Sequence, residues 1–440
     1  MFRRLRHALV ERHILYKEYH AHRRLLRELA PTPEGNRQRS LVIIPCAPDS
    51  VIGSRADEAM IVTAMQQFRD MAGRKAPITV VCAGEFENPR WPRLAQRYGA
   101  ELLKAWKGAN AHGTVARAVA ELAPTDICIL GADGMDGHYS PFISFGLLSL
   151  YTLFYAKGYN VSLLGFSYSD HPHPTLNRLF RKVAGSAPFH LRDPLSQKRF
   201  RQSTRIIKAR LVADAAFLLR PDHNSDAYRR YRDRVDDIRF HSAIVIAFNF
   251  RPMLRPGHTA DELEASVQRM AENLRRLLDD NPGLAIALLP HDDCKRLSDN
   301  YVLRGVYDRL KDNYSDCVIY VPQVYRAEEI KAIVGLFDGV ISSHMHLAIA
   351  ALGMNVPVMA AECQGQVRGL FAHFDYPEQY LLTPEQFCGD AFLGAADVFV
   401  ANLRNLKLHI LTALPKVREL SRKNFEPTVF RRHPLRMRNF

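Results

Sequence analysis

Short apolar runs recur along this chain, each followed by a longer stretch with helical spacing of its apolar positions, and that change of period predicts alternating strands and helices. From Ser40 onward the runs are SLVIIPC, PITVVCA, TDICILG and NVSLLGF. A second series follows: SAIVIAFNF, LAIALLP, CVIYVP, DGVISS and VPVMAA. Strands this apolar, separated by helices, predict an α/β protein whose parallel sheets are covered on both faces. The charged stretch Asp222 to Arg239, with RRYRDRVDDIR at its centre, divides the two series. The predicted partition is a basic helical segment over residues 1–39, Rossmann-like doubly wound domains over 40–225 and 226–412, and a basic tail over 413–440. In open sheets of this kind ligands sit beyond the carboxyl ends of the strands, so the cleft between the two halves is the expected site.

The stretch VISSHMHLAIAALGMNVP, Val340 to Pro357, reads as a strand, a helix start and a second strand. Ser343 is the expected helix cap, Leu347 to Leu352 are good helix formers, and Gly353 ends the helix. Ser342, His344 and His346 then surround a helix N-terminus, whose free N–H groups suit a phosphate or carboxylate and whose imidazoles can carry charge or move a proton. A capped helix bearing two surface histidines fits the same residues.

Other polar residues follow predicted strands. Ser54 can cap a helix with Asp57 completing a capping box, or Asp57 and Glu58 stand at the cleft edge as proton donors beside Arg55. The loop GADGMDGHYS holds Asp133, Asp136 and His138 before a helix capped by Ser140 with Pro141 at its first position. In HLRDPLSQKRF, which contains His190, Arg192, Asp193 and Ser196, Arg192 can offer a planar fork to an anion or close a local turn with Asp193. LLPHDDC sets His291, Asp292 and Asp293 after another strand, where the acids can orient the imidazole or simply be solvated.

At 440 residues and 50.1 kDa the chain exceeds the usual growth of one core, which agrees with two domains. Sixty Lys and Arg against 46 Asp and Glu give a net charge of +14, concentrated in the first 30 residues, Asn177 to Arg210 and Arg422 to Arg438. Basic ends suit an anionic membrane surface or an acidic polymer. No zinc-finger spacing, aromatic RNA-binding motif or helix-turn-helix signature accompanies the charge, which argues against nucleic acid. Seven cysteines without a CxxC pair or metal-ligand spacing read as reduced core thiols of a cytoplasmic protein. The N-terminus lacks the apolar h-region of a signal peptide. Pro141 to Ala156, the longest apolar stretch, is too short to span a bilayer and is expected to be a buried helix.

Taken in order, GSRADEAM, GADGMDGHYS, LLGFS, LRDPLS, VADAAFLL, IAFNF, LLPHDD and VISSHMHLAIAALGMNVPV resemble the polysaccharide pyruvyl transferase family from about Leu41 to Leu411. The resemblance implies a GT-B-like fold and transfer of pyruvate from phosphoenolpyruvate to a sugar diol or lipid-linked oligosaccharide, with no metal or other cofactor. The closing family motif reads Ser-x-Arg-x-His. Here Ser342 and His346 match, while His344 stands at the arginine position and Ala56 replaces a glycine of the first motif. Arginine keeps its charge at all relevant pH, whereas imidazoles ordinarily titrate near ~6.5. On this resemblance His346 relays a proton and Asp57 or Asp133 is the acid. The helix start at Ser342 and Ser343, with His344, Arg192, His291 and Arg55, holds the donor. Two other readings share the fold and the charge: a GT-B glycosyltransferase using a nucleotide sugar, and a non-catalytic glycan-binding assembly protein at the membrane surface. Homo-oligomers are compatible with each.

Overall fold

The computed structural model describes residues 2–33, 35, 37–108, 110–251, 259–292, 298–362 and 365–426, with side chains from residue 8 onward. The first series of apolar runs forms β1 (Leu41–Ile44), β2 (Ile78–Ala83), β3 (Ala100–Trp106), β4 (Asp126–Ile129) and β5 (Asn160–Leu163). They make one parallel sheet in the order β3-β2-β1-β4-β5, with Ile43 beside both Val80 and Cys128. A small parallel pair, β6 (Phe189–Leu191) and β7 (Ala209–Leu211), follows. The second series forms β8 (Ile244–Asn249), β9 (Leu284–Leu288), β10 (Val318–Tyr320), β11 (Gly339–Ser342), β12 (Val358–Ala361) and β13 (Leu381–Leu382). Their order is β10-β9-β8-β11-β12-β13, again parallel. All nine strands expected from the apolar runs are present. Strand β3 escaped the pattern because it is an edge strand that exposes Glu101 and Lys104, and β6, β7 and β13 are only two or three residues long.

In each sheet the strand order reverses beside the first strand, between β1 and β4 and between β8 and β11. Chains leaving neighbouring strands in opposite directions open a crevice there, and both crevices turn their carboxyl ends to the seam between the halves. One apolar core runs continuously from the helix Arg55–Ala72 through Ala213–Leu219 into the second sheet. A second core lies on the other face of the first sheet, under the buried helix Pro141–Ala156.

The basic N-terminal segment is a helix, Phe2–Glu28, that ends before Pro31. Leu15, Leu25 and Leu29 are buried, His22 Nδ1 meets Ser149 Oγ at 2.8 Å, and Glu18 meets His112 at 2.9 Å, so one face packs on the protein itself. No helix among the described residues is long and apolar enough to cross a membrane. At the other end the helix Ala391–Arg422 runs straight across residue 412, so the segment read as a tail begins as helix. Residues 427–440 of that segment lie outside the described residues.

Polar contacts tie the halves together. Glu328 accepts from Gln66 Nε2 (2.9 Å) and Tyr98 Oη (2.6 Å), and Lys331 Nζ donates to the carbonyls of Ala216 (3.0 Å) and Phe217 (2.8 Å). Past the last helix, buried Asn424 accepts from Gly165 N (2.7 Å) and donates to Ala213 O (2.8 Å). Asn424→Ala strips partners from a buried donor and a buried acceptor, so about 2–4 kcal/mol of stability should disappear in urea unfolding; a loss under about 0.5 kcal/mol would contradict this anchor.

Burial and the neighbouring Arg418 lower the Lys331 ammonium to about 7 from its ordinary 10.5. Between those two values the unfolded chain binds the proton and the native one does not, so stability must rise with pH by up to about 1.4 kcal/mol per unit. Unfolding of Lys331→Met across pH 7 to 10 should lack that slope; parallel curves for the two proteins would refute the assignment.

Candidate active site

Two clusters of polar residues meet at the seam, one from each crevice. In the first half, Ser54 caps the helix Arg55–Ala72 by accepting from Asp57 N at 3.1 Å. The Asp57 side chain does not return to the Ser54 backbone as a capping box would. Its carboxylate instead receives Cys46 Sγ at 3.0 Å and Ser54 Oγ at 2.8 Å. Loss of water around it pushes the Asp57 carboxyl up, against those two hydrogen bonds, and so favours its protonated form.

Arg192 is the hub of this half. It is buried, with Nε on Ser167 Oγ (2.7 Å), Nη1 on Asp214 (3.1 Å) and Nη2 on Asp133. The fork expected for a donor anion is therefore taken by two carboxylates, and the local pairing with Asp193 is absent because Asp193 caps the helix Pro194–Thr204 through Ser196 N at 2.7 Å. Asp133 spends Oδ1 on that guanidinium, which leaves Asp57 as the better proton donor of the two. Asp136 braces its own loop, accepting from His138 N (2.9 Å) and Ser169 N (3.1 Å). Gly137 in that loop has φ +85° and lies so close to His173 that a side chain would collide with it.

Arg55 is not at the open edge either. It is 2% exposed, and Nη1 meets Glu58 at 2.9 Å. Glu58 also receives Arg90 at 2.7 Å and the backbone N–H of Ala327 at 3.2 Å. These contacts make Glu58 an interdomain tie rather than a free acid.

In the second half the hub is Asp299, the first residue of the helix Asp299–Leu310 and fully buried. It accepts from Asn249 Nδ2 (2.8 Å) and from the backbone N–H groups of His291 and Asp292 (2.9 Å each), and it faces His344 Nε2 at 3.2 Å. Burial opposes its charge, yet His344 and these donors hold its carboxyl well below the usual range. The rings of His291 and His344 lie 5.1 Å apart. Asp293 is outside the described residues.

The helix after β11 runs Met345–Gly353, and its cap position is His344, not Ser343. Ser343 Oγ faces the other way and accepts from Arg251 N at 2.8 Å, while Ser342 Oγ accepts from His344 N at 2.9 Å. His346 sits in the first helical turn, and its Nε2 is 3.8 Å from Asp214, too far for a hydrogen bond. Burial keeps both His346 and His291 below their ordinary values, hence neutral at pH 7.

His346, His291 and Arg55 converge with Lys331 on a cavity of about 20 Å³, enough for one water. Arg55 Nε, His291 Nδ1 and His346 Nε2 are all buried without a hydrogen-bond partner. Three orphan nitrogens around one cavity fit an ordered water or the oxygen of a bound anion. Among the described residues no group of histidine, cysteine and acidic side chains is arranged to hold a metal ion. Beyond Glu58 the seam opens into a groove of about 1020 Å³ between Arg93 and Arg97 on one wall and Arg229 and Arg326 on the other.

The fold gathers His346, Asp57, Asp133, Arg192, Arg55, His291, Ser342, Ser343 and His344, the residues expected from the sequence, at this seam. Asp214, Asp299, Lys331 and Arg251 join them there without having been expected. Arg251 follows β8, meets Asp292 at 3.5 Å and keeps a third of its side chain in solvent, which makes it an available cation beside Ser343 among the described residues. An arginine directly after an apolar strand, at a carboxyl edge, was the signal that marks it. Asp214 and Asp299 gave none, because an isolated acid at a helix or turn start reads as a cap.

The fold is shared with sugar-nucleotide enzymes. A UDP-N-acetylglucosamine 2-epimerase from Listeria monocytogenes superposes with TM-score 0.54 at 10% identity over 90% of this chain and 98% of that one. The UDP-GlcNAc 2-epimerase from Neisseria meningitidis, bound to UDP-GlcNAc, gives 0.53 at 10% identity over 88% and 98%. The N-terminal domain of Candida albicans trehalose-6-phosphate phosphatase gives 0.51 at 11% over 91% and 100%. At such identities the likeness shows the fold alone, and that fold is GT-B-like. No curated protein matches the sequence. A family model for polysaccharide pyruvyl transferase matches residues 57–363, from Asp57 past the Ser342 to His346 segment, and the chain belongs to that family.

Proposed function

We propose that this protein transfers pyruvate from phosphoenolpyruvate to two hydroxyls of a sugar, forming a pyruvate ketal in the synthesis of a cell-surface glycan. The observation that carries this reading is the placement at the seam of Asp57, whose carboxyl burial pushes up towards its protonated form, near a buried neutral imidazole, His346, whose Nε2 has no partner. A protonated carboxyl and a neutral imidazole are what an addition to an enol ester requires.

Asp57 gives its proton to the methylene carbon of phosphoenolpyruvate, which leaves an oxocarbenium-like centre at the carbon bearing the phosphate. His346 takes the proton of the first sugar hydroxyl as its oxygen bonds to that carbon. The carbon–oxygen bond to phosphate then breaks, the second hydroxyl closes the ketal, and its proton leaves with the phosphate. One hydroxyl proton thus replaces the one that Asp57 lent, through His346, and the other departs on the phosphate. Arg251, His344 and the N–H groups at the start of the helix Met345–Gly353 suit the donor's carboxylate and phosphate. The groove beyond Glu58 is roomy enough for a sugar bearing a phosphate linker.

Phosphoenolpyruvate should raise the thermal midpoint of the protein, since it binds the native state alone. A rise with nucleoside diphosphates and none with phosphoenolpyruvate would replace this reading by a nucleotide-sugar transferase. His346→Ala and Asp57→Asn should each lower kcat by about 10²–10⁴ while the fold persists, and Arg251→Gln should act mainly on KM. Wild-type turnover in His346→Ala would remove it from the mechanism.

A further inference from the structure

The N-terminal helix Phe2–Glu28 has an apolar surface that its packing does not use. Leu15 and Leu25 point into the core, yet Leu9 is 57% and Val10 52% exposed, and Ile14 is exposed with them. Glu11, in the middle of that stretch, meets His173 at 3.2 Å, and His173 N donates to Asp136 O at 2.8 Å. The exposed stretch therefore lies beside the loop Gly131 to Ser140, whose far end presents Tyr139, 68% exposed, followed by exposed Phe142.

Cations frame this surface. Arg12 and Lys17 on the same helix and Arg178, Arg181 and Lys182 on the helix Pro174–Val183 are exposed. Lys182 Nζ lies 5.1 and 5.2 Å from the rings of Tyr16 and Tyr19. The nearby acids Glu11 and Glu18 turn to His173 and His112, and the five exposed cations outnumber them on this face. Exposed aliphatic and aromatic residues ringed by lysine and arginine match the interface of an anionic bilayer, where the apolar tips enter the headgroup layer and the cations meet lipid phosphates.

We propose that this face docks the protein on an anionic lipid surface. Docked there, the far end of the Gly131 to Ser140 loop, with exposed Tyr139, lies next to the headgroups. The proposal does not depend on pyruvyl transfer, because lipid binding is read without turnover.

Full-length protein should co-sediment with vesicles containing about one-third phosphatidylglycerol and not with phosphatidylcholine alone, and rising salt should release it. Leu9→Glu/Val10→Glu and, separately, Arg178→Glu/Arg181→Glu should each weaken partition at least about tenfold with unchanged circular dichroism. Should the first variant lose helix, Tyr139→Ser on the neighbouring loop tests the same face. No binding to the anionic vesicles, or equal binding by wild type and both charge variants, would overturn the proposal. A wild-type dimer in light scattering that becomes monomeric in Leu9→Glu/Val10→Glu would overturn it too, and give the face to a second copy of the chain.

Discussion

A guanidinium taken out of water must be surrounded by acceptors, and Arg192 imposes that demand at the centre of this protein. Its Ser167, Asp214 and Asp133 partners come from three separate loops at the carboxyl edge of the first half, and its Nη2 also lies 3.7 Å from Met345 Sδ of the second. Removing one carboxylate from such a buried pair costs about 3–5 kcal/mol, far more than any surface ion pair here can contribute. The cluster therefore locks those loops together. It also delivers two negative charges, Asp133 and Asp214, to the side of the seam where His346 sits.

The second half repeats the device with the signs exchanged. There a buried carboxylate, Asp299, is enclosed by an amide, two backbone N–H groups and an imidazole. His344 stands where the family motif has arginine, and Asp299 faces it at 3.2 Å. A histidine facing a fully buried carboxylate contributes little net charge to an incoming anion, which puts weight on Arg251 as a permanent cation among the described residues of this edge. The substitution in the motif thus reads as a redistribution of charge between neighbouring positions.

The geometry of the candidate site depends on the two halves being held at one separation. The ties across the seam, Glu58 to Ala327, Glu328 to Gln66 and Tyr98, and Lys331 to the Ala216 and Phe217 carbonyls, are short and mostly buried. Below them the halves share one apolar core. Both features fix how Arg55, His291 and His346 face one another around their small shared cavity.

Local physics was legible in the sequence. Nine strands announced themselves because both faces of a parallel sheet are buried and their residues must all be apolar, and Ser54, Ser140 and Gly353 marked helix ends because caps are chosen by the backbone within a few residues. The positions that follow strands also named most of the site, since a parallel sheet puts every such loop on one edge. Partner choice was not legible. Whether Arg192 would meet a substrate, Asp193 or Asp133 was decided by loops 59 residues apart in sequence, and Asp299 became a hub only where three strands brought Asn249, His291 and His344 around it. Periodicity and capping are local, so the sequence alone determined elements and edges; charge compensation in a buried seam is long-range, so only the tertiary structure decided which groups are left free to react.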